Sequence, residues 1–264
     1  MAINNNLSFE LFPPKTEKGF DKLKATISEL NKLRPAYFSV TSGAGGSTQE
    51  KTFATVDWLR GQSIETAPHL SCVGADKQEI LEILQRYRDQ GIDRIVALRG
   101  DLPSGAGLGG LAELNYANEL VSFIRESFGP AFHIEVAAYP EFHPQAASAE
   151  IDLDNFKRKV EAGADGAITQ YFYSPDAYSR FIQDCHKRGI SIPVVPGIMP
   201  ITNYSSLARF SDACGAEIPR WIKKRLVGYG DDTASIRAFG LEVVTKLCET
   251  LLATGAPGLH FYTM

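Results

Sequence analysis

Residues 167–198 read AITQYFYSPDAYSRFIQDCHKRGISIPVVPGI and contain one complete strand–helix–strand unit. The apolar runs 167–172 and 193–198 lack polar alternation, which is typical of parallel strands buried on both faces. Between them a helix is predicted to begin at Ser174-Pro175 and to end at Gly189, with proline at its first position and glycine after its last. A crossover of this kind joins neighbouring parallel strands in a right-handed sense.

The same unit recurs along the whole chain. Apolar runs that alternate with helical patterns lie at 7–12, 36–41, 66–73, 94–98, 133–138, 167–172, 193–198 and 258–263. Eight such strands predict an α/β protein of the (β/α)8 TIM-barrel class, formed as a single domain from residues 1–264, and an open doubly wound sheet is the alternative. A complete barrel adds a helix after its eighth strand, and the sequence to Met264 does not contain one.

Composition narrows the class of protein. The 264 residues are 44% hydrophobic and 22% charged with a formal charge of -4, which is ordinary for a soluble globular protein. No basic stripe indicates a nucleic-acid partner, no apolar run approaches the roughly 18 residues that span a membrane, and MAINNNLSFE is not a signal peptide. The four cysteines form no CxxC pair, and no close His/Cys/Asp/Glu cluster indicates a metal. We therefore expect a cytoplasmic protein with reduced thiols and without a metal.

In a barrel, functional side chains lie where the strands end. Glu10 interrupts the first apolar run, and an ionised carboxylate is costly to bury there, so either a catalytic role or a structural ion pair with a nearby arginine would explain it. Arg99 and Asp101 straddle Gly100 after the fourth run, which suits either a polar ligand or a structural ion pair. Gln170 is followed by three aromatic residues, and this cluster indicates a planar ligand bound by stacking and by hydrogen bonds to its edge.

One motif is misleading. GAGLGG at 105–110 matches G-x-G-x-x-G, but it begins several residues after the preceding strand. A dinucleotide fingerprint lies directly at a strand-to-helix turn, so we interpret this segment as a mobile loop.

Motifs along nearly the whole chain resemble those of the methylenetetrahydrofolate reductases, in particular the bacterial type that consists of a catalytic domain only. They are SFELFPPKT at 8–16, APHLSC at 67–72, IVALRGDLP at 95–103, VAAYPEFHP at 136–144, LDNFKRKVEAGAD at 153–165, AITQYFY at 167–173, PGIMPITN at 196–203 and HFYTM at 260–264. The resemblance implies non-covalent FAD that takes hydride from NADH or NADPH. It also implies hydride transfer to 5,10-methylenetetrahydrofolate to give 5-methyltetrahydrofolate, in a ping-pong scheme, and it favours a homo-oligomer.

The resemblance also implies roles for individual residues. Glu10 is similar to the general acid that opens the folate five-membered ring, and Asp101 to a catalytic carboxylate beside flavin and pterin. Gln170 is similar to a residue that binds folate and contacts nicotinamide, and Phe210 to an aromatic residue that stacks on either substrate. The implied FAD contacts are Thr41, His69, Arg99, Gly100, Asp101, Tyr116, Ala117, Tyr139, His143, Asp152, Asn155, Arg158 and Lys159. Ser42 stands where the family commonly has an aromatic residue.

Two other functions remain open at this level. A different flavin barrel, of the proline-dehydrogenase kind, would oxidise a small amine, but the Glu10 and Arg99–Asp101 motifs do not support it. A catalytically silent subunit would bind flavin or folate for a partner. The joint presence of Glu10, Asp101 and Gln170 argues against that second function.

Overall fold

The computed structural model describes residues 7–43, 48–100 and 113–263. The chain clusters into two compact units. The amino-terminal unit is built mainly from residues 5–137 and 158–166, and the carboxy-terminal unit mainly from residues 138–157 and 167–263.

The amino-terminal unit is an alternation of parallel strands and helices. Its strands are β1 (Leu7–Leu11), β2 (Tyr37–Val40), β3 (Thr66–Ser71), β4 (Arg94–Leu98) and β5 (His133–Ala138), and its helices are α1 (Glu17–Asn31), α2 (Gln49–Gly61), α3 (Lys77–Asp89) and α4 (Ala117–Phe128). Each strand pairs in parallel with the next one along the chain. Leu11, Phe38 and Ile95 are fully buried, as expected for strands covered on both faces.

Local side chains determine where these helices begin. Thr16 Oγ1 accepts a hydrogen bond from the Gly19 N–H at 3.1 Å and caps α1. At α3 the Asp76 carboxylate accepts from the Glu79 N–H at 2.8 Å, and the Glu79 carboxylate accepts from the Asp76 N–H at 3.0 Å. This reciprocal capping box satisfies two backbone donors that the first helical turn leaves unpaired.

A buried polar cluster occupies the start of β5. Glu135 is 4% exposed, and its Oε1 lies 2.5 Å from Arg94 Nη1 and 3.0 Å from His133 Nε2. Gly166 packs directly against this carboxylate, because a Cβ atom there would overlap Glu135 Oε2. The cluster lies at the amino-terminal ends of the strands, where polar groups of this fold serve stability.

The carboxy-terminal unit contains one strand that is broken in two. Its elements are α5 (Ala149–Glu161), β6 (Gly166–Thr169), α6 (Pro175–Lys187), β7 (Val194–Val195), β8 (Gly197–Ile198), α7 (Tyr204–Cys214), α8 (Arg220–Tyr229), α9 (Thr233–Ala253) and β9 (Leu259–Tyr262). The predicted strand 193–198 is divided at Pro196, which has no N–H to donate to a ladder. Consequently β7 pairs with β6, and β8 pairs with β9.

The alternation of strands and helices and the parallel pairing within each unit are those of a TIM-barrel-like α/β fold. The fold class predicted from the sequence is therefore confirmed, whereas the single-domain organisation stays a prediction. Across the three described ranges, no helix is long and apolar enough to cross a membrane.

Candidate active site

Glu10 and His69 form the most buried pair of titratable side chains at the predicted site. Both residues are 8% exposed, and Glu10 Oε2 lies 3.5 Å from His69 Nε2. Glu10 pairs with Ser39 across the β1–β2 ladder, and Ser39 pairs with Ala67 on β3, two residues before His69. The sheet therefore places a carboxyl group and an imidazole side by side, at a distance that allows an ion pair when the imidazole is protonated.

Thr41 presents an unused hydroxyl group at the end of β2. Its N–H donates to the Leu11 carbonyl at 3.0 Å, and its carbonyl accepts from Thr52 Oγ1 at 3.0 Å. The Thr41 Oγ1 atom is buried and has no hydrogen-bond partner in the part of the chain that the structure describes. A buried hydroxyl without a partner is costly, so this atom is suited to a ligand that would supply one.

The exit of β4 has a fixed backbone path. The Arg99 carbonyl accepts hydrogen bonds from Ser71 Oγ at 2.7 Å and from the Val73 N–H at 2.9 Å. Gly100 follows with φ +86°, and a Cβ atom there would overlap Ser71 Oγ, so only glycine fits. Asp101 and the loop 105–110 lie outside the described residues.

Two implied flavin contacts lie where α4 begins. Ala117 is the first residue of the helix, and Tyr116 precedes it with its side chain largely exposed. The Tyr116 N–H donates to Glu119 Oε2 at 3.3 Å, which fixes the backbone at this helix start. The exposed Tyr116 ring is consequently available to a ligand.

Four implied flavin contacts lie on α5. They share one side of the helix, because Asn155 lies three residues after Asp152, and Arg158 and Lys159 lie three and four residues after Asn155. The Asp152 carboxylate accepts from the His143 N–H at 3.0 Å, and Lys159 Nζ donates to the Ala137 carbonyl at 2.7 Å. Each of these two contacts ties α5 to a residue at or after the end of β5.

Gln170 lines a small cleft of the carboxy-terminal unit, which is open to solvent and has an empty volume of about 180 Å³. Its N–H donates to the Ala138 carbonyl at 2.8 Å, and its Oε1 accepts from the Tyr171 N–H at 3.0 Å. Among the described residues its Nε2 has no hydrogen-bond partner, so two amide protons remain for a ligand. The cleft is lined by Tyr139, Glu141, Phe142, Gln170, Tyr171, Cys214, Gly215 and Ala216.

The aromatic residues after Gln170 are not a stacking surface, and this part of the sequence interpretation is wrong. Tyr171, Phe172 and Tyr173 are at most 5% exposed. Tyr171 Oη lies 3.0 Å from Ser211 Oγ, and Tyr173 Oη donates to the Met199 carbonyl at 3.1 Å. Burial raises the pKa of both phenols. These rings form core packing whose polar ends are satisfied internally, so a ligand held by Gln170 needs a different aromatic partner.

The loop after β5 contains site residues that sequence reasoning passed over. Tyr139 and His143 were the implied flavin contacts, and their rings lie edge to face with centroids 4.6 Å apart. Between them, Phe142 is 46% exposed, and Glu141 Oε2 accepts from the Glu217 N–H at 2.8 Å. Burial raises the pKa of the Glu141 carboxyl group. The sequence signal that could have identified Phe142 was its position as an apolar residue between Tyr139 and His143, two implied ligand contacts.

Phe210 lies on α7 and is 36% exposed. Cys214, which lines the Gln170 cleft, is four residues further along the same helix, so the two residues share one side of α7. Phe210 therefore lies on the same side of α7 as Cys214, the residue of this helix that lines the Gln170 cleft. No group of three or more His, Cys, Asp or Glu residues within the described ranges could hold a metal ion.

Comparisons with known proteins match this chain over almost its full length. The model of the methylenetetrahydrofolate reductase family matches residues 2–264. The 5,10-methylenetetrahydrofolate reductase of Escherichia coli (strain K12) is 39% identical over 260 residues, which cover 98% of this chain and 86% of that protein. Methylenetetrahydrofolate reductase (NADH) 1 of Zea mays is 39% identical over 272 residues, with 97% of this chain but only 45% of the maize protein covered.

A solved structure shares the fold. It is an uncharacterized protein from Clostridium thermocellum that binds two copies of 5-methyl-5,6,7,8-tetrahydrofolic acid, with a TM-score of 0.70, 19% identity, and coverage of 98% of this chain and 88% of that chain. At this identity the likeness concerns the fold alone. The family match over residues 2–264 and the identity of nearly 40% over almost the whole chain show that the protein belongs to the methylenetetrahydrofolate reductase family.

Proposed function

We propose that the protein catalyses the FAD-dependent reduction of 5,10-methylenetetrahydrofolate to 5-methyltetrahydrofolate, with NADH or NADPH as the hydride donor in a ping-pong scheme. The observation that carries this proposal is a buried glutamate, Glu10, near the end of β1 beside His69. Together with family membership, this pair supplies the acid that the folate half-reaction needs. The folate ligand of the Clostridium thermocellum structure, which shares the fold, is consistent with a folate substrate here.

FAD, when bound, accepts hydride from the nicotinamide and returns it to the folate, which is chemistry that no side chain provides. The residues present fit such a group. Thr41 offers a buried hydroxyl group without a partner in the described structure, and the cations of Arg158 and Lys159 suit a pyrophosphate. The other implied flavin contacts are proposed on the resemblance alone.

Glu10 would protonate the leaving nitrogen of the folate imidazolidine ring, because this ring opens to the iminium only when that nitrogen is protonated and can leave as a neutral amine. His69 would hold the carboxyl group in position from 3.5 Å away. Gln170 would donate its Nε2 protons to the edge of the bound ring, and Phe210 would stack on a substrate. Asp101, outside the described residues, is proposed as the carboxylate next to flavin and pterin.

The remaining assignments follow from the relatives and from the composition. The name of the maize relative includes NADH, which makes NADH the first donor to test. A cytoplasmic location and a homo-oligomeric state are also proposed.

An absorbance experiment under anaerobic conditions tests the proposed function. The purified protein should be yellow, NADH or NADPH should bleach the flavin band, and 5,10-methylenetetrahydrofolate should restore it. A colourless protein that does not bind added FAD would contradict the proposal. Bleaching by proline but not by a nicotinamide would indicate the amine-oxidising alternative, and a yellow protein that no donor bleaches would indicate a silent subunit.

A further inference from the structure

Phe142 has a backbone conformation that side-chain-bearing residues avoid. Its φ is +62°, in the left-handed region where the Cβ atom meets the neighbouring peptide. Arg34 and Ser63 are the other non-glycine residues with positive φ in the described ranges. Each of those two follows the end of a helix, where a left-handed residue is routine. Phe142 lies in the loop between β5 and α5, so helix termination does not account for its conformation.

Hydrogen bonds on both sides impose this conformation. The Phe142 N–H donates to the Tyr139 carbonyl at 3.2 Å. The preceding residue, Glu141, accepts from the Glu217 N–H at 2.8 Å, and the following residue, His143, donates its N–H to Asp152 Oδ2 at 3.0 Å. Strain of this kind persists only where the surroundings over-determine it, and it concentrates at ligand sites. The loop therefore fixes the direction in which the Phe142 side chain leaves the backbone.

The Phe142 ring is not used for core packing. It is 46% exposed, and within the part of the chain that the structure describes it makes no ring–ring or cation–π contact. It lines the same cleft as Gln170, whose Nε2 protons remain available. Tyr171 in this cleft is buried and hydrogen-bonded through its hydroxyl group, and Tyr139 packs edge to face against His143, so neither is as exposed as Phe142. The cleft thus combines one exposed aromatic ring with one amide donor.

We propose that Phe142 is a specificity-determining residue that packs against a planar nitrogen heterocycle whose polar edge binds Gln170. This inference rests on the proposed function, which supplies two such rings, the reduced pterin and the nicotinamide. Ring-to-ring packing selects a flat ligand, while the amide selects hydrogen-bond acceptors on its edge. Neither group alone would distinguish these rings from other flat or polar molecules.

Three variants test the role of the ring: Phe142→Gly, Phe142→Asn and Phe142→Tyr. Glycine and asparagine tolerate the left-handed conformation and remove the ring, whereas tyrosine keeps the ring. The first two should melt at or above the wild-type temperature. Their dissociation constants for 5-methyltetrahydrofolate or for NADH, measured by isothermal titration calorimetry, should rise about three- to tenfold, as expected for one aromatic contact. Phe142→Tyr should bind as the wild type does.

The two half-reactions identify which ring Phe142 contacts. If the concentration dependence of reoxidation by 5,10-methylenetetrahydrofolate shifts, the ring is the pterin. If that of reduction by NADH or NADPH shifts, the ring is the nicotinamide, and a shift in both means that the two rings share the contact. Each of these results supports the inference.

The inference is overturned if both dissociation constants of Phe142→Gly and Phe142→Asn stay at wild-type values, whatever the melting temperature. A lower melting temperature would then show that the ring is structural. Calorimetry keeps this test separate from the proposed function. If the wild type binds 5-methyltetrahydrofolate without catalysing reduction, the proposed function fails, and a weaker-binding Phe142→Gly still supports the inference. If the wild type binds neither ligand, both are overturned.

Discussion

Replacing Glu10 with glutamine should separate the two half-reactions. Glutamine keeps the shape of a side chain that is only 11% exposed and lies 3.5 Å from His69, but it cannot donate the proton of a carboxylic acid. Loss of a positioned general acid costs on the order of 10²–10⁴ in rate. At about 1.4 kcal/mol per tenfold, the barrier to folate reduction should rise by about 3–6 kcal/mol.

Anaerobic stopped-flow absorbance measures each half-reaction separately. Bleaching of the flavin by NADH or NADPH should stay near the wild-type rate, because hydride transfer to the flavin requires no proton from Glu10. Reoxidation by 5,10-methylenetetrahydrofolate should be slower by the factor above. Wild-type reoxidation in Glu10→Gln would refute the assignment of Glu10 as the acid. A joint fall of both rates and of flavin content would instead assign Glu10 a structural role.

Glu135→Gln is the matched control, because Glu135 is the other buried glutamate among the described residues. Its carboxylate pairs with Arg94 and His133 at the opposite ends of the strands. Removing that charge should lower the melting temperature, since the partly exposed Arg94 loses the carboxylate that pairs with it, at 4% exposure, in the interior. Both half-reactions per bound flavin should stay unchanged.

Three further predictions concern affinity, packing and thiol reactivity. Thr41→Val removes the buried hydroxyl group that has no partner in the described structure, so the flavin-free protein should melt at or above the wild-type temperature. The Kd for FAD should rise about two- to tenfold, and an unchanged or lower Kd would contradict a role of this hydroxyl group in binding FAD. Gly166→Ala should lower the free energy of unfolding by about 1–3 kcal/mol in a denaturant titration, because the added Cβ atom would overlap the buried Glu135 carboxylate. The control Gly228→Ala in α8, where a Cβ atom meets no other atom within 4 Å, should raise the free energy of unfolding by about 0.5–1 kcal/mol. Burial raises the pKa of the Cys72 thiol to about 11 and that of Cys185 to about 12. A thiol reagent at pH 8 should therefore leave both unlabelled in the native protein and label both after unfolding, and native labelling should become faster as the pH rises towards those values. Rapid labelling of the native protein at pH 8 would contradict this prediction and show that the thiols are accessible.

The strands could be predicted because their pattern depends on burial. Runs such as 94–98 and 133–138 are mainly apolar apart from Arg94, His133 and Glu135, and the structure has strands with those same bounds. The sequence shows a proline at position 196, but it does not show that the strand is divided there, because a proline can also occupy an edge position without interrupting a strand. The partner change from β6 to β9 depends on contacts with β9, which lies more than 60 residues further along the chain.

The sequence was a less reliable guide to the candidate site than to the strands. Glu10 was conspicuous because a carboxylate in an apolar run requires an explanation, although the sequence suggested arginine as its partner and the structure provides His69. The aromatic residues after Gln170 were misinterpreted, since ring type does not reveal which rings are covered by α7 and the strands around them. The position of Phe142 depends on the hydrogen bond that the Glu217 N–H donates to Glu141 and on the one that Asp152 accepts from the His143 N–H, and no local pattern reveals either.

The interruption at Pro196 limits which sequences this part of the fold can accept. Beside it, the Gly197 N–H donates to the Thr169 hydroxyl group at 2.9 Å, and the Tyr262 hydroxyl group donates to the Thr169 carbonyl at 2.7 Å. Two side-chain hydroxyl groups thus replace backbone pairing where the ladder is broken. Elsewhere in a buried sheet, many apolar side chains of similar size are interchangeable. Here mutational drift is restricted to residues that carry an oxygen at the same position, so this seam should change more slowly in evolution than the strands on either side of it.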